Sequence, residues 1–560
     1  MEWKQSKLPE EYKSFLENGY SNFEAAALCK AKIKTVEEAN DHLFGDDIIS
    51  PRKIRNIVPA AEIIWNAVCF GVKICIFGDY DADGITASAI MFLALKKLGA
   101  NVVVRLPDRL EEGYSISLKA IKEQIELGVE LFITVDNGVR AIEEAKYIKE
   151  QGKKLVVLDH HEVGELLPDA DALIDLHIPG ETYPYTELTG SGLAWKVAHY
   201  LLEMMNEHDF AMSLADLAAF GTIGDVAPLT GENRVIVKRA LVQMKSAGYE
   251  RYGVKEIMPD IGNATAEDIA FRMAPCLNAP GRINSHGASL PLVMLLESNE
   301  QMARSLADRI IAINEERKQL QAECYNAIKG AVEERIAAGD KVLVIKAEAS
   351  MPGIVGLLAG NLKEEYGRPA VVFAPKADEN GVLHWVGSAR SIEAFHMLNA
   401  ITSCSDLLER FGGHKLAAGL TISADDVVFE EFRKRMNECA SDLKDEDLNP
   451  TCEWDVELDE SEITDDLYAQ IDALEPFGSE APRPVVKIRV KLAEESHRFM
   501  GDHDQHIKLF AENFSLVGFN LAQRFIDLGL PQEFTAYGYL KSNCYRGKIT
   551  KELSLLDLCA

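Results

Sequence analysis

From residue 73 onward, short apolar runs alternate with longer stretches whose apolar positions recur at helical spacing. "KICIF", "NVVVRL", "LFITV" and "KLVVL" read as buried strands. Between them, "ITASAIMFLALKKLG", "SISLKAIKEQIELG" and "AIEEAKYIKEQG" read as helices. This alternation predicts an α/β lobe built on a parallel sheet with crossover helices. Residues 190–247 read mostly as helix, and 288–338 as one long helical region between Gly287 and Gly339. A second, smaller α/β unit follows, in "KVLVIKA", "GIVGLLAGNLKEEYG" and "PAVVFA". The polar, acidic stretch "SDLKDEDLNPT" at 441–451 then leads into a β-rich end. Its runs "PVVKIRVKLAEE", "QHIKLFAE", "FSLVGFN", "EFTAYGYL" and "GKITKELSLLDL" predict a small C-terminal β-barrel. The boundaries expected are an N-terminal helical arm at 1–55, a first lobe at 56–287 and a connecting helix at 288–340. The second lobe is expected at 341–445 and the barrel at 452–560.

A chain of 560 residues is too long for one core, which agrees with several domains. Its formal net charge of −30 repels nucleic acid at long range. Any nucleic-acid substrate must therefore be held by local cations and placed arginines. The ten cysteines are scattered without a C-x-x-C pair, which reads as reduced thiols of a cytoplasmic protein. The opening "MEWKQSKLPEEYKSF" has no apolar signal core, and no apolar run is long enough to span a bilayer. Secretion and membrane insertion are not expected.

The candidate chemistry lies where strands end. "IFGDYDADG" crowds Asp79, Asp81 and Asp83 behind the first strand. Asp136 follows the third in "FITVDNG", and Asp159, His160 and His161 end the fourth in "VVLDHH". Asp225 sits in the glycine-spaced turn "AFGTIGDVAPL". In an open parallel sheet the carboxyl ends of the strands line one edge, where ligands bind. Each signal alone is weak, since Asp-Asn-Gly is usually a turn and paired histidines are often surface residues. Together they converge, and carboxylates packed so closely cannot all stay ionised without a partner. Oxygen donors with one or two imidazoles suit Mn²⁺ or Mg²⁺, and a two-ion site activates water at a phosphorus centre.

"GDYDADGITASAI", "VDNG", "DHH" and "GTIGDVAPL" resemble, in order, the four motifs of the DHH phosphoesterase superfamily. "LPDRLEEGYS", "LNAPGRI", "NEERK", "GSARSI", "FGGHKLAAGL" and "LEPFGSEAPRP" extend the resemblance to its RecJ exonuclease family, over roughly residues 60–558. The lobes would then be a DHH domain and a DHH-associated domain, and the barrel an OB-fold. The resemblance implies that Asp81, Asp83, Asp136, His160 and Asp225 ligate two ions, Mn²⁺ or Mg²⁺, with Asp136 bridging and Asp79 adding to the shell. Phe77 stands where small members carry a histidine. His161 would act at the scissile phosphate or leaving oxygen, beside catalytic Asp81 and Asp136, and Asp159 would orient the histidines. Arg109 would hold a 5′-phosphate, and Arg282 the substrate near the ions. Ser388 and Arg390 would clamp a phosphate, while Gly412, Gly413 and His414 form a loop that approaches one. Tyr537, Tyr539, Tyr545 and Arg546 are candidate single-strand contacts of the barrel, although alternating tyrosines more often pack within a β-strand. Departures from the family pattern at Cys276, Ser350 and Met351 touch strand binding rather than the cage.

The resemblance implies a metal-dependent 5′→3′ exonuclease that cuts single-stranded DNA to 5′-mononucleotides in repair and recombination. A RecQ-like helicase and a single-strand-binding protein are the expected partners, and a monomer the expected state. The alternative enzyme is a phosphodiesterase for short oligonucleotides or cyclic dinucleotides, against which the barrel argues. A scaffold that has lost its ligands is a third reading, and here every ligand type is present.

Overall fold

The computed structural model describes residues 3–108, 116–378, 380–449, 451–501, 503–545 and 548–559. Five parallel strands form the first sheet: β1 (Lys73–Phe77), β2 (Asn101–Arg105), β3 (Leu131–Val135), β4 (Lys154–Leu158) and β5 (Ala172–Ile174). Their order is β2-β1-β3-β4-β5. Every residue of β3 is buried, as a strand covered on both faces requires. The largest core lies on one face and a second, around Phe77, Phe132 and Val157, on the other. The short strand β5 escapes the sequence pattern, because three apolar residues carry no period. Four helices complete the part of this lobe that matters below: α1 (Ala82–Lys97), α2 (Gly190–Glu203), α3 (His208–Met212) and α4 (Ala215–Gly224). A fifth, α5 (Ala274–Ile283), continues from a single π-turn at Ile269–Met273.

The expected single helix over 288–338 is broken. A short helix at Ser289–Leu296 ends before Asn299, whose side chain accepts from the Met302 amide and starts α6 (Glu300–Ala337). That capping turn divides what composition alone joins. α6 runs for about 57 Å at 1.5 Å per residue and reaches the second lobe.

The second lobe is a mixed sheet of β6 (Leu343–Lys346), β7 (Ala370–Ala377), β8 (Leu383–Arg390), β9 (Arg410–Gly413) and β10 (Ala417–Ser423), in the order β9-β10-β8-β7-β6. Only β6 and β7 run parallel. "FGGHKLAAGL" is therefore not the loop its glycines predict. Gly412 and Gly413 pair with Gly419 and Ala418 as an exposed edge strand, and His414 turns the hairpin.

The C-terminal strands are β11 (Val456–Leu458), β12 (Val486–Met500), β13 (His506–Ala511), β14 (Ser515–Gly518), β15 (Glu533–Tyr545) and β16 (Lys548–Cys559). Pairing runs β12-β13-β14-β16-β15 and returns from β15 to β12, which closes a five-stranded ring. This is the OB-fold arrangement, and closure leaves no free edge within the ring.

The N-terminal helices Glu11–Glu17, Asn22–Lys30 and Val36–Phe44 are part of the barrel's core. Phe15, Phe23 and Leu28 pack with Val456, Val486 and Leu509 in one cluster. Trp3–Gln5 pairs with Cys452–Trp454, and the Trp3 ring stacks on Tyr537 at 4.2 Å. Buried Arg234, in the first lobe, donates to the carbonyls of His42 (2.8 Å) and Pro476 (2.5 Å). One guanidinium thus joins lobe, arm and barrel.

Candidate active site

Three strand-end motifs meet at the carboxyl edge of β1, β3 and β4, and the fourth acid, Asp225, reaches the same edge from the end of helix α4 rather than from a strand or turn. Asp81 caps α1: its Oδ1 accepts from the amides of Asp83 and Gly84, both at 3.1 Å. Asp79 Oδ1 accepts from the Tyr80 amide at 2.7 Å. The turn is tight because Gly84 lies against it; a Cβ there would come within 2.5 Å of the Asp79 nitrogen. Asp83, the second residue of α1 and buried, takes the amides of Gly190 (2.7 Å) and Ser191 (2.9 Å) at the start of α2. Asp136 leaves β3 in the left-handed region, at φ 61°, and is also buried. Asp225 closes α4 and is more open, with 40% of its side chain exposed.

His160 binds the acids together. Its Nε2 is 3.0 Å from Asp136 Oδ1, 3.7 Å from Asp83 Oδ2 and 4.0 Å from Asp225 Oδ2. His161 turns elsewhere, its Nδ1 lying 2.7 Å from Asp159 Oδ1. Asp159 also accepts the amides of Val139 (2.8 Å), His160 (2.8 Å) and His161 (3.3 Å), so its lone pairs are spent on the turn. Phe77 points away, into the core beside Phe132 at 6.0 Å.

The electrostatics show excess negative charge. Burial pushes Asp136 well above the carboxylate range, and Asp83, Asp81, Asp79 and Asp225 add to the push. Asp225 rises to about 8, through burial and then Asp83 and Asp81. His161 rises to about 9, chiefly through its hydrogen bond to Asp159. Burial lowers His160. Burial also works against ionised Asp159, but the His161 bond and charge outweigh it and hold that group low. A cage whose acids raise one another fits a cation. The donor atoms of Asp83, His160 and Asp225 lie within 4.8 Å of one another, as do those of Asp136, His160 and His161. Hard oxygens with imidazole are the donor set of Mn²⁺ or Mg²⁺.

Three supports act through contacts that the sequence does not show. Asn278 Oδ1 accepts from the Ala82 amide at 2.8 Å, which pins the start of α1 to α5. Ser191 sits where a Cβ on Gly221 would come within 2.1 Å of its Oγ and 2.3 Å of Asp83 Oδ1. A Cβ on Gly190 would come within 2.5 Å of Asp136 Cβ. "LNAPGRI" contains the first of these and "GTIGDVAPL" opens on Gly221, which reads there as part of a turn but lies in helix α4; Gly190 reads only as a helix residue.

The second lobe faces this edge. Arg282 donates to the Gly353 carbonyl at 3.4 Å, next to the start of the fifteen-residue helix Pro352–Tyr366. Ser388 and Arg390 come to the same helix. A Cβ on Gly356 would lie 3.1 Å from Ser388 Oγ and 3.6 Å from Arg390 Nη2. Arg390 also donates to Ser388 Oγ at 3.4 Å. Two arginines, a hydroxyl and a helix start thus gather across from the cage, a setting for a phosphate. His414 reaches the first lobe at Glu162, 3.7 Å away. Gly413, at φ 146°, has no room for a side chain against Ala417 and Ala418, whereas Gly412 faces open space. Arg109 and Arg546 lie outside the described residues. Cys276 is buried and takes a bond from Asn314 at 3.5 Å, away from the cage. Ser350 Oγ is buried without a hydrogen-bond partner among the described residues.

A partly open stripe leads from the cage toward the barrel. Glu267, Phe271, Pro275, Asn278 and Arg282 fall three or four residues apart along α5, the π-turn and the helical turn before it; Glu267 and Phe271 are exposed and the other three half-buried. Phe271 is 76% exposed. Glu267 meets Lys541 of β15 at 3.3 Å.

A cage of acids and one imidazole at a parallel-sheet edge, faced by an arginine-bearing second lobe, defines a phosphoesterase of the DHH type. Residues 73–222 match the DHH family, N-terminal domain; 339–442 match the DHHA1 domain and 454–557 the RecJ OB domain. The single-stranded-DNA-specific exonuclease RecJ of Haemophilus influenzae is 31% identical over 536 residues, covering 90% of this chain and 91% of that one. RecJ of Bacillus subtilis is 38% identical over 507 residues, covering 89% of this chain. The match spans 62% of that relative's own length. The crystal structure of RecJ in complex with Mn²⁺ from Thermus thermophilus superposes with a TM-score of 0.80 at 27% identity, over all of this chain and 79% of that one. The chain belongs to the RecJ family.

Proposed function

We propose that this protein is a metal-dependent 5′→3′ exonuclease that hydrolyses single-stranded DNA to 5′-mononucleotides. The observation that carries the reading is the placement, in one chain, of the acid cage, the arginine cluster across from it and a closed barrel at the end of the partly open stripe. Its relatives' names support the substrate, and the Mn²⁺ of the Thermus thermophilus structure supports the metal.

Asp81, Asp83, Asp136, His160 and Asp225 would hold Mn²⁺ or Mg²⁺, with Asp79 in the surrounding shell. Bound there, two divalent ions supply an acidified water and offset the charge of the phosphate. To receive them, Asp136 and Asp225 give up the protons that crowding makes them keep. His161, held protonated by Asp159, has a proton to give to the leaving oxygen or to the phosphate. Arg282, Ser388 and Arg390 hold phosphates of the strand and keep the next bond in register. Phe271 offers a ring to a base on its way to the cage, and Tyr539 of the barrel lies further along. No described helix is long and apolar enough to cross a membrane. We place the enzyme in the cytoplasm, as a monomer, working on strands opened by a helicase beside a single-strand-binding protein. One chain supplies the whole strand path, which supports the monomer.

The test is a digestion time course with Mn²⁺ on a 5′-labelled single strand, a 3′-labelled one and the matching duplex. Immediate release of 5′-labelled mononucleotide with the duplex spared is the expected result. Cleavage confined to di- to pentanucleotides would move the substrate to short oligonucleotides, and no cleavage with any metal would end the enzyme reading.

A further inference from the structure

We propose a second metal site, for one transition-metal ion of the zinc type, at the end of α2 remote from the cage. Its ligands are His199, Glu203 and His208. His199 and Glu203 lie one turn apart on α2, and His208 opens α3. His199 Nε2 is 3.2 Å from Glu203 Oε1 and 3.4 Å from His208 Nδ1. His208 Nδ1 is 3.6 Å from the same Glu203 oxygen. These three distances form one nearly equilateral triangle. Ligands of tetrahedral zinc, at bonds of about 2.0–2.1 Å, stand about 3.3–3.4 Å from one another. The triangle therefore has the size of one face of a zinc tetrahedron.

Hydrogen bonds alone use only part of this triangle. A ring nitrogen offers either one proton or one lone pair, yet His199 Nε2 faces two partners at once. With Nε2 on an ion, the proton of neutral His199 sits on Nδ1, which is buried and has no hydrogen-bond partner among the described residues, so the ring's position rests on packing rather than on a second hydrogen bond. One cation at the centre uses all three lone pairs. The ring is also fixed in place. It stacks on buried Trp195 at 5.6 Å, and Trp195 Nε1 donates to the Ala211 carbonyl of α3 at 2.8 Å. Both ligand-bearing helices are thus tied together behind the site. Glu207, beside His208, is occupied by Lys97 at 3.2 Å and does not compete. Glu203 and His208 are 38% and 58% exposed, which leaves the fourth position to water and gives the ion an open route.

Two imidazoles and one carboxylate favour Zn²⁺ over Mg²⁺ or Mn²⁺, the reverse of the cage's preference. The two sites are separate in chemistry as well as place. α2 connects them, because its first amides hold Asp83 and its last turn carries His199 and Glu203. At 14 residues it spans about 21 Å. The ion would clamp α2 to α3 and so steady the helix from the end that the catalytic residues do not touch.

The test uses the full chain with its cage disabled by Asp136→Asn and Asp225→Asn. These changes mimic the protonated acids and so preserve the fold. The chelated protein is dialysed against about 10 μM Zn²⁺ and the bound metal counted, a level that saturates a site of micromolar or tighter Kd. One zinc per chain is expected, with a raised Tm. Adding His208→Gln or Glu203→Gln should weaken retention by at least about 10-fold. A parallel arm uses the wild-type chain with its cage saturated by Mg²⁺, and the same single zinc is expected there. No retained zinc in either arm overturns the site. So does retention that His208→Gln and Glu203→Gln leave unchanged.

Discussion

His161 Nδ1 lies 2.7 Å from Asp159 Oδ1, and this contact sets the charge of a ring at the mouth of the cage. Asp159 is itself held ionised by this contact, within a turn that also gives it three backbone amides. His161 consequently keeps its proton to about pH 9. If the ring donates that proton in the reaction, activity falls as pH rises through its pKa. Asp159→Asn removes the charge, so the pKa drops toward 6.5 and the alkaline limb of the kcat profile moves to lower pH. His161→Ala should lower kcat by about 10²–10⁴-fold. A profile of Asp159→Asn that overlays the wild type would remove His161 from proton transfer.

Gly190→Ala should be far more damaging than a methyl group in a helix normally is. The added Cβ would sit 2.5 Å from Asp136 Cβ, between two buried acids that face each other across the start of α2. Either Asp136 or the amides that hold Asp83 must move. A shift of about 1 Å in such a site costs on the order of 10²-fold in rate. Steady-state kinetics with saturating Mn²⁺ decide this, and a variant within twofold of the wild type would show that the cage tolerates the displacement.

Phe271→Ala tests the strand path apart from the chemistry. Stacking a base on a ring is worth about 1–3 kcal/mol, so KM for a long single strand should rise about 5- to 150-fold. The kcat, and both constants on a dinucleotide, should not change. Equal losses on long and short substrates would place Phe271 in the fold rather than on the path.

Metal removal should give the protein an inverted pH response. Without ions, the folded chain keeps protons on Asp136 and Asp225 that the unfolded chain releases near 3.8. Between 3.8 and about 8 the native state thus binds more protons, and stability falls as pH rises. Added Mn²⁺ replaces those protons, and its binding strengthens over the same range. Melting curves at several pH values from 5 to 8, with chelator and with Mn²⁺, should diverge toward the alkaline end. Parallel curves would mean that these acids are not ligands.

Much of this was readable from residue order. A strand ending in an acid is a local signal, and three of them at one sheet edge converge by topology; the fourth acid, Asp225, arrives from the end of helix α4. Asp83, Asp136, His160 and Asp225 do lie together. Supports that act through space had no such signal. Asn278 touches Ala82 across 196 positions; each lies in a quoted motif, yet neither motif names the other as its partner. Gly190 looks like a weak point of a helix until the acid it makes room for is in place. Local chemistry also misled: two glycines in "FGGHKLAAGL" read as a loop, yet they lie in an edge strand whose ladder of partners forms only in the folded sheet. The same limit hid the arm's attachment, since Phe15 and Val486 belong to one core from opposite ends of the chain.

That shared core bears on how the chain is made. Phe15, Phe23 and Leu28 leave the ribosome first, but their packing partners begin at Val456. Roughly 400 residues must be synthesised in between, which takes on the order of 20–80 s at ordinary translation rates. The first lobe and its acids can fold during that wait, while the arm's apolar faces stay uncovered and open to chaperones. The cage and the second lobe's arginine cluster thus form before the barrel, and a chain interrupted at that point would carry both with its N-terminal helices still unpacked.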